Sequence, residues 1–352
     1  MHRVARDCNS MDAEFNPAAN TTGKARALFR PRHRAILYQT LLAAMVCLAA
    51  WYFISNAVEN LLARDIASGF GFLNREAGFE IGERTFLAYN AGDTYFKALA
   101  VGLLNTFRVA ALAIIFSTII GVAIGLARLS PNWLLMKLAT AYVETIRNVP
   151  LIVQLFFWYA LITESLPGPA NALNPMPGVF LSNRGLAFPV VTAIFPVALQ
   201  YPVLTGFNFT GGALLSPEFA ALFLGLALYT AAFIGEIARA GISSVESGQF
   251  EAARSLGLSE TQVMRFIILP QALRVIVPPL TSQYLNCTKN SSLAVAIGYP
   301  DIVSIANTTI NQTGQAIEGI AIIMLVYLTT SLAISAFMNW YNQRIALRGA
   351  KA

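Results

Sequence analysis

The feature that most constrains this chain is a series of long apolar stretches with almost no charge. Residues 35–57 are the clearest: 23 residues without one Asp, Glu, Lys or Arg. About 20 apolar residues in a helix cross a hydrocarbon layer roughly 30 Å thick. Five further stretches read the same way: Leu103–Leu126, Leu138–Ile162, Phe219–Ala238, Val275–Gly298 and Ala316–Trp340. Only 12% of the 352 residues are charged, about half the share typical of a soluble domain. The expectation is an all-α integral membrane protein with about six transmembrane helices.

Charge gives the expected sidedness. Residues 1–34 carry Arg3, Arg6, Lys24, Arg26, Arg30, Arg32 and Arg34 against Asp7, Asp12 and Glu14. A basic flank is retained on the cytoplasmic side, so 1–34 reads as a cytoplasmic tail and 35–57 as a retained helix rather than a signal peptide. Residues 58–98, richer in Glu and Asp, read as an external linker with interfacial pieces. Six spans then return 343–352, with Arg344, Arg348 and Lys351, to the cytoplasm. The net charge of +6 reflects this asymmetry and does not call for nucleic acid. Cys8, Cys47 and Cys287 are too scattered for a disulfide framework or a metal site. A loop rich in Pro, Gly and Asn covers 163–186. Residues 187–204 are apolar but interrupted by Pro189, Pro196 and Pro202, and read as re-entrant or interfacial. A crossing there would put the Arg-rich 239–274 outside.

Residues 241–274 read GISSVESGQFEAARSLGLSETQVMRFIILPQALR. Local chemistry gives a first short helix at Gln249–Leu256, closed by Gly257 in the left-handed conformation. A second helix is capped by Ser259 with Gln262 three residues later and is ended or kinked by Pro270. Such a helix–turn–helix could enter a DNA groove, but a unit leashed between two spans cannot readily reach one. The other reading is a docking element for a cytoplasmic partner. The spacing Glu251-Ala252-Ala253, three residues, Gly257, nine residues, Ile267-x-Leu269-Pro270 resembles the EAA signature of ABC importer permeases.

The resemblance extends over about 100–342. Gly102-Leu-Leu-Asn-Thr106, Ala127-Arg-Leu-Ser130, Tyr142-Val-Glu-Thr-Ile-Arg-Asn-Val-Pro-Leu151, Gly248-Gln-Phe-Glu251 and Lys289-Asn-Ser-Ser-Leu293 are similar to the polar amino-acid permease family. The extra N-terminal span and Asn311-Gln-Thr-Gly-Gln315 look like the broad-specificity L-amino-acid type, although 187–204 is shorter than in that pattern. The resemblance implies a type I ABC importer permease core over 99–342 in a bacterial inner membrane. It implies as partners an ABC ATPase dimer, a second permease subunit forming a heterodimer, and an external substrate-binding protein. The ATPase would grip 249–270, through Gly248, Gln249, Glu251, Ala252, Ala253, Gly257, Ile267, Leu269 and Pro270. The chain has no phosphate-binding glycine loop and no nucleophile–base constellation. ATP and Mg would therefore be used by the partner, with no cofactor, metal or catalytic residue here. An ABC permease for another small polar solute, or an ATP-independent transporter or channel, are the alternatives.

Polar residues inside the spans need partners or water, because a lipid-facing charge costs at least about 2.5–3.5 kcal/mol. Glu144 and Arg147, three apart, can form an ion pair or meet the charged ends of an amino acid. Gln154, Lys289, Asn290, Ser291 and Ser292 are further candidates for a substrate pathway, the last four alternatively marking a helix break beyond Pro278 and Pro279. Arg108 is expected to snorkel or to pair with Asp93. Glu236 and Arg239 are expected to brace the docking loop.

Overall fold

The computed structural model describes residues 31–63, 68–84, 86–193 and 198–347. Most of the basic tail and the last five residues lie outside them. The chain divides after Ala67 into two units. In the first, α1 spans Pro31–Ala63. Its 26-residue segment Ala35–Asn60 is apolar enough to cross a membrane.

The second unit holds the other spans. Helix α2 is Tyr95–Arg128, capped by the Thr94 side chain. Helices α3 (Trp133–Asn148) and α4 (Leu151–Ser165) follow. Next come α5 (Pro217–Ser243), α6 (Ser247–Ser255) and α7 (Leu269–Asn290). The unit closes with α8 (Ile302–Thr313) and α9 (Ala316–Leu347). Helix α9 outruns the expected end at Trp340. Residues 343–347 are thus its last turns rather than a tail, and Arg344 there complements the helix dipole.

The central contact is α2 on α5. Gly121 and Gly125 sit on the α5 backbone. A Cβ at Gly121 would meet Ile234 Cβ at 2.7 Å and the Ala231 carbonyl at 2.8 Å. At Gly125 it would meet Ala238 Cβ and the Gly235 carbonyl, both at 2.8 Å. This is a small-residue seam of the kind that lets membrane helices approach closely. A core of Val109, Ala113, Leu155, Leu222, Leu226, Ala294 and Tyr299 fills the space among α2, α4, α5 and the turn after α7.

Four expectations change. First, the span expected at 138–162 is two helices bent by 105° at Val149–Pro150, because Pro150 can neither donate to the helix ladder nor leave its neighbour helical. Second, 163–204 is neither plain loop nor a re-entrant helix. Eight short strands lie between α4 and α5: β1 (Leu173–Met176), β2 (Val179–Ser182), β3 (Gly185–Phe188), β4 (Val190–Ala193), β5 (Ala198–Gln200), β6 (Val203–Thr205), β7 (Asn208–Thr210) and β8 (Ala213–Leu215). They form a four-stranded sheet in the order β1-β2-β3-β8 and two hairpins, β4-β5 and β6-β7. Of the prolines that argued against a span, Pro189 and Pro202 fall between strands, where no ladder bond is lost; Pro196 lies outside the described residues.

Third, 68–94 is no loose linker. Phe72, Ala77, Ile81 and Tyr89 are buried in a core with Tyr95, Leu99, Ile302, Ile305 and Ala306. The segment is a strap across the start of α2 and α8. Fourth, a helix absent from the sequence reading, α8, is nucleated by Asp301, whose Oδ1 accepts from Ser304 N at 2.8 Å.

Candidate functional site

The docking elbow is built at one end of the bundle, between α5 and α7. Helix α6 begins two residues before the expected Gln249. It ends in a Schellman closure: Gly257 N donates to Arg254 O at 2.9 Å and Leu258 N to Ala253 O at 3.3 Å. Gly257 has φ +78° with open space around its Cα. The constraint there is the left-handed backbone, which costs an L-residue about 1–2 kcal/mol. Ser259 and Gln262 form the expected capping box, with Gln262 Oε1 accepting from Ser259 N at 2.9 Å. Arg254 and Glu260 bridge the elbow at 2.9 Å on its exposed side.

The two alanines of the signature do different work. Ala253 is buried in a small core with Ile242, Val263, Ile268 and Ala272, which fastens the elbow to the bundle. Ala252 faces outward with Gly248, Gln249, Glu251 and Gly257. Leu256, which the sequence reading passed over, is 81% exposed at the tip. Ile267 is half-buried, and Leu269 and Pro270 are exposed.

Of the two expected effects of Pro270, an end or a kink, the helix does not end there. Val263–Ile268 runs as a π-turn, with Leu269 N donating to Met264 O, and α7 continues beyond it. The wider turn absorbs the proline, and Gln271 Nε2 takes the Ile267 carbonyl at 3.0 Å. Behind the elbow, Glu236 on α5 holds Arg239 at 2.6 Å and also Arg128 from the end of α2. The brace thus ties two spans, a partner for Glu236 that spacing alone could not give.

The pathway candidates separate. Glu144 and Arg147 are both exposed and form no ion pair with each other. Arg147 lies over the Phe233 ring, 4.9 Å from its centroid. At three residues apart the side chains share a helix face, but Phe233 on α5 offers the guanidinium an aromatic partner instead. Gln154 is buried at the α3–α4 break. Its Nε2 takes the carbonyls of Ile146 and Val149, at 2.9 and 3.0 Å, that the break leaves without helical partners. Ser291 is fully buried and donates to Thr288 O at 2.7 Å. Ser292 donates to Lys289 O at 2.8 Å, and Asn290 closes α7.

Lys289 stays exposed, on a face of α7 that also shows Gln271, Arg274, Ser282 and Asn286. Gln271 and Arg274 are three apart, Ser282, Asn286 and Lys289 four and three apart, and exposed Pro278 joins the two groups on the same face. Arg108 pairs with Glu83 of the strap at 2.5 Å, not with Asp93, and lies 4.2 Å from the Phe219 ring centroid. Asp93 is taken by Lys97 at 2.9 Å, one helical turn away. That contact holds the Asp93 carboxyl below its ordinary value.

Residues 117–347 match the family described as the binding-protein-dependent transport system inner membrane component. The chain belongs to this family. It is a multi-pass membrane component, and it is 49% identical to a putative amino-acid ABC transporter permease, YhdX, of Escherichia coli K12, over 90% of this chain and 95% of that protein. It is 43% identical to the general L-amino acid transport system permease AapQ of Rhizobium johnstonii, over 91% and 94%. Among solved structures it is similar to an amino acid ABC transporter at 27% identity, with a TM-score of 0.52, covering 71% of this chain and 95% of that one. The inward-facing MetNI methionine transporter, 16% identical with a TM-score of 0.50, shares the fold. The core is that of a type I importer permease, with the eight strands lying between its helices α4 and α5.

Proposed function

We propose that this chain is the membrane-spanning permease subunit of an ATP-driven importer that moves amino acids into the cytoplasm. The observation that carries the reading is the elbow. It is a rigid turn, locked by Gly257 and fastened by Ala253, that leaves Glu251, Ala252 and Leu256 free for a partner. In this reading a separate ATPase dimer grips it from the cytoplasm, using ATP and Mg. Closure of that dimer moves α5 and α7 as packed levers. The relatives named for amino acids support the substrate class. Both termini then lie in the cytoplasm.

The exposed polar stripe of α7 supports a pathway shared with a second permease subunit. Charged groups such as Arg274 and Lys289 are costly against lipid and tolerable against water or a partner. By the same reading Glu144 and Arg147 line that pathway, and Gln154 shapes it by holding the break. The second subunit is a related but different chain.

Gly257→Val tests the elbow. The variant should insert normally and lose uptake and copurification of the ATPase. Undiminished ATP-dependent uptake by Gly257→Val would refute the coupling role. Competition of uptake by amino acids, sugars and short peptides separates the substrate classes, and competition by sugars alone would remove amino acids from the assignment.

A further inference from the structure

At the end of the bundle opposite the elbow, the β6-β7 hairpin raises one aromatic side chain clear of everything else. Phe207 is 92% exposed, the most exposed of the large apolar side chains. Its support is firm. Val203 pairs with Thr210, Leu204 with Phe209 and Thr205 with Asn208, leaving a two-residue turn at Gly206-Phe207. Gly206 supplies the positive φ (+65°) that such tight turns need. The Thr205 and Thr210 hydroxyls meet at 2.7 Å across the strands. Phe209 below is stacked on Phe180 of β2, 4.9 Å between centroids and 22° from parallel. Tyr201, Val203 and Leu204 are 42–62% exposed around the knob.

Next to Phe207 the wall of a hollow of about 580 Å³ begins. It is lined by Asn208, Arg184, Glu80, Glu83, Glu218 and the α8 side chains Ser304 and Thr308. Exposed Glu80 and Arg184, with half-buried Glu218, belong beside water rather than acyl chains, so the hairpin tip stands over an aqueous mouth. An apolar anchor ringed by polar groups of both signs is the make-up of a protein–protein contact. A rigid exposed aromatic is the side chain that most often dominates one.

We infer that Phe207 and the hollow beside it form the docking surface for a soluble external protein that offers an apolar socket to the ring. The inference rests on the importer reading, in which that partner is the amino-acid-binding protein. It assigns the contact to the strands between α4 and α5 rather than to the helices.

The test uses the whole transporter in nanodiscs, titrated with its purified binding protein loaded with L-glutamine, with ATP hydrolysis as the signal. Phe207→Ala should raise the half-saturating concentration at least about tenfold and still approach the wild-type plateau. Phe207→Trp should remain near wild type. Equal half-saturation for wild type and Phe207→Ala, or a lowered plateau alone, would overturn the assignment. A nitroxide on Phe207→Cys that proves accessible to oxygen in the bilayer, and unaffected by the binding protein, would instead make the knob a membrane contact. A wild-type complex that ignores the binding protein altogether would remove the importer reading and this inference together.

Discussion

Asp301 is completely buried, yet only Oδ1 of its carboxylate has a partner. Oδ2 has none. Burial pushes its pKa from 3.8 up to about 7, against the opposing pull of the α8 amides. The folded protein therefore holds a proton there that the unfolded chain has released. The stabilisation this gives is full below about pH 4 and is lost as pH rises through about 7. Asp301→Asn keeps a capping oxygen and removes the titration. Its thermal unfolding midpoint in detergent should change less between pH 5 and 8 than that of the wild type. The neighbouring Glu83 takes Arg108 with one oxygen and the Ser216 hydroxyl with the other, both at 2.5 Å. Truncation to Ala would remove the Glu83 carboxylate from the Arg108 guanidinium, which is packed against Phe219. The expected cost is about 3–5 kcal/mol of stability, measurable by denaturation in mild detergent. A change below 1 kcal/mol would mean that water replaces the carboxylate.

Among the elements, the α2–α5 seam tolerates no added volume. Gly121→Leu should sharply lower the yield of folded protein, while Gly71→Ala, where an added Cβ meets nothing within 4 Å, should not. The carbonyls freed by the Pro150 break are held by one side chain, Gln154. Gln154→Leu frees the Ile146 and Val149 carbonyls in a buried setting, at about 1–3 kcal/mol each. Transport should fall more than expression, since the break shapes the proposed pathway. The opposite result, full transport at reduced expression, would make the clamp purely structural. The π-turn at 263–268 shows a related economy: a wider turn lets one helix run from the elbow into the membrane despite Pro270.

For the whole molecule, the polar stripe of α7 is exposed, with Gln271 bonded only within its own helix, and its charged groups are costly against lipid. If a second permease subunit covers it, Ser282→Cys should cross-link to that subunit in the assembled transporter. It should also react with a hydrophilic maleimide in the isolated chain. Labelling in neither state would place the stripe against lipid. The strap 68–94 adds a level the span pattern does not suggest. It has its own buried side chains, is clamped to α2 and α5 through Glu83, Asn105, Arg108 and Ser216, and packs on Ile302 and Ile305 of α8.

Hydrophobic length alone marked five of the six expected spans, because a bilayer leaves few options to a long apolar run; it did not show the 105° bend inside 138–162. Backbone chemistry within a few residues fixed the elbow: Gly257 in the left-handed closure, Ser259 and Gln262 in the capping box. Side-chain partners were decided elsewhere. Glu144 and Arg147 satisfy the spacing rule for an ion pair, yet Phe233, 86 residues on from Arg147, takes the guanidinium. Arg108 found Glu83 and not Asp93 because the strap folds back over α2. The strands of 173–215 were hidden for the same reason: runs of three or four residues carry too little periodicity to be read. Only their pairing, β3 with β8 across 24 intervening residues, makes them a sheet. Local sequence thus sets what each segment can be, and long-range packing chooses which charges meet.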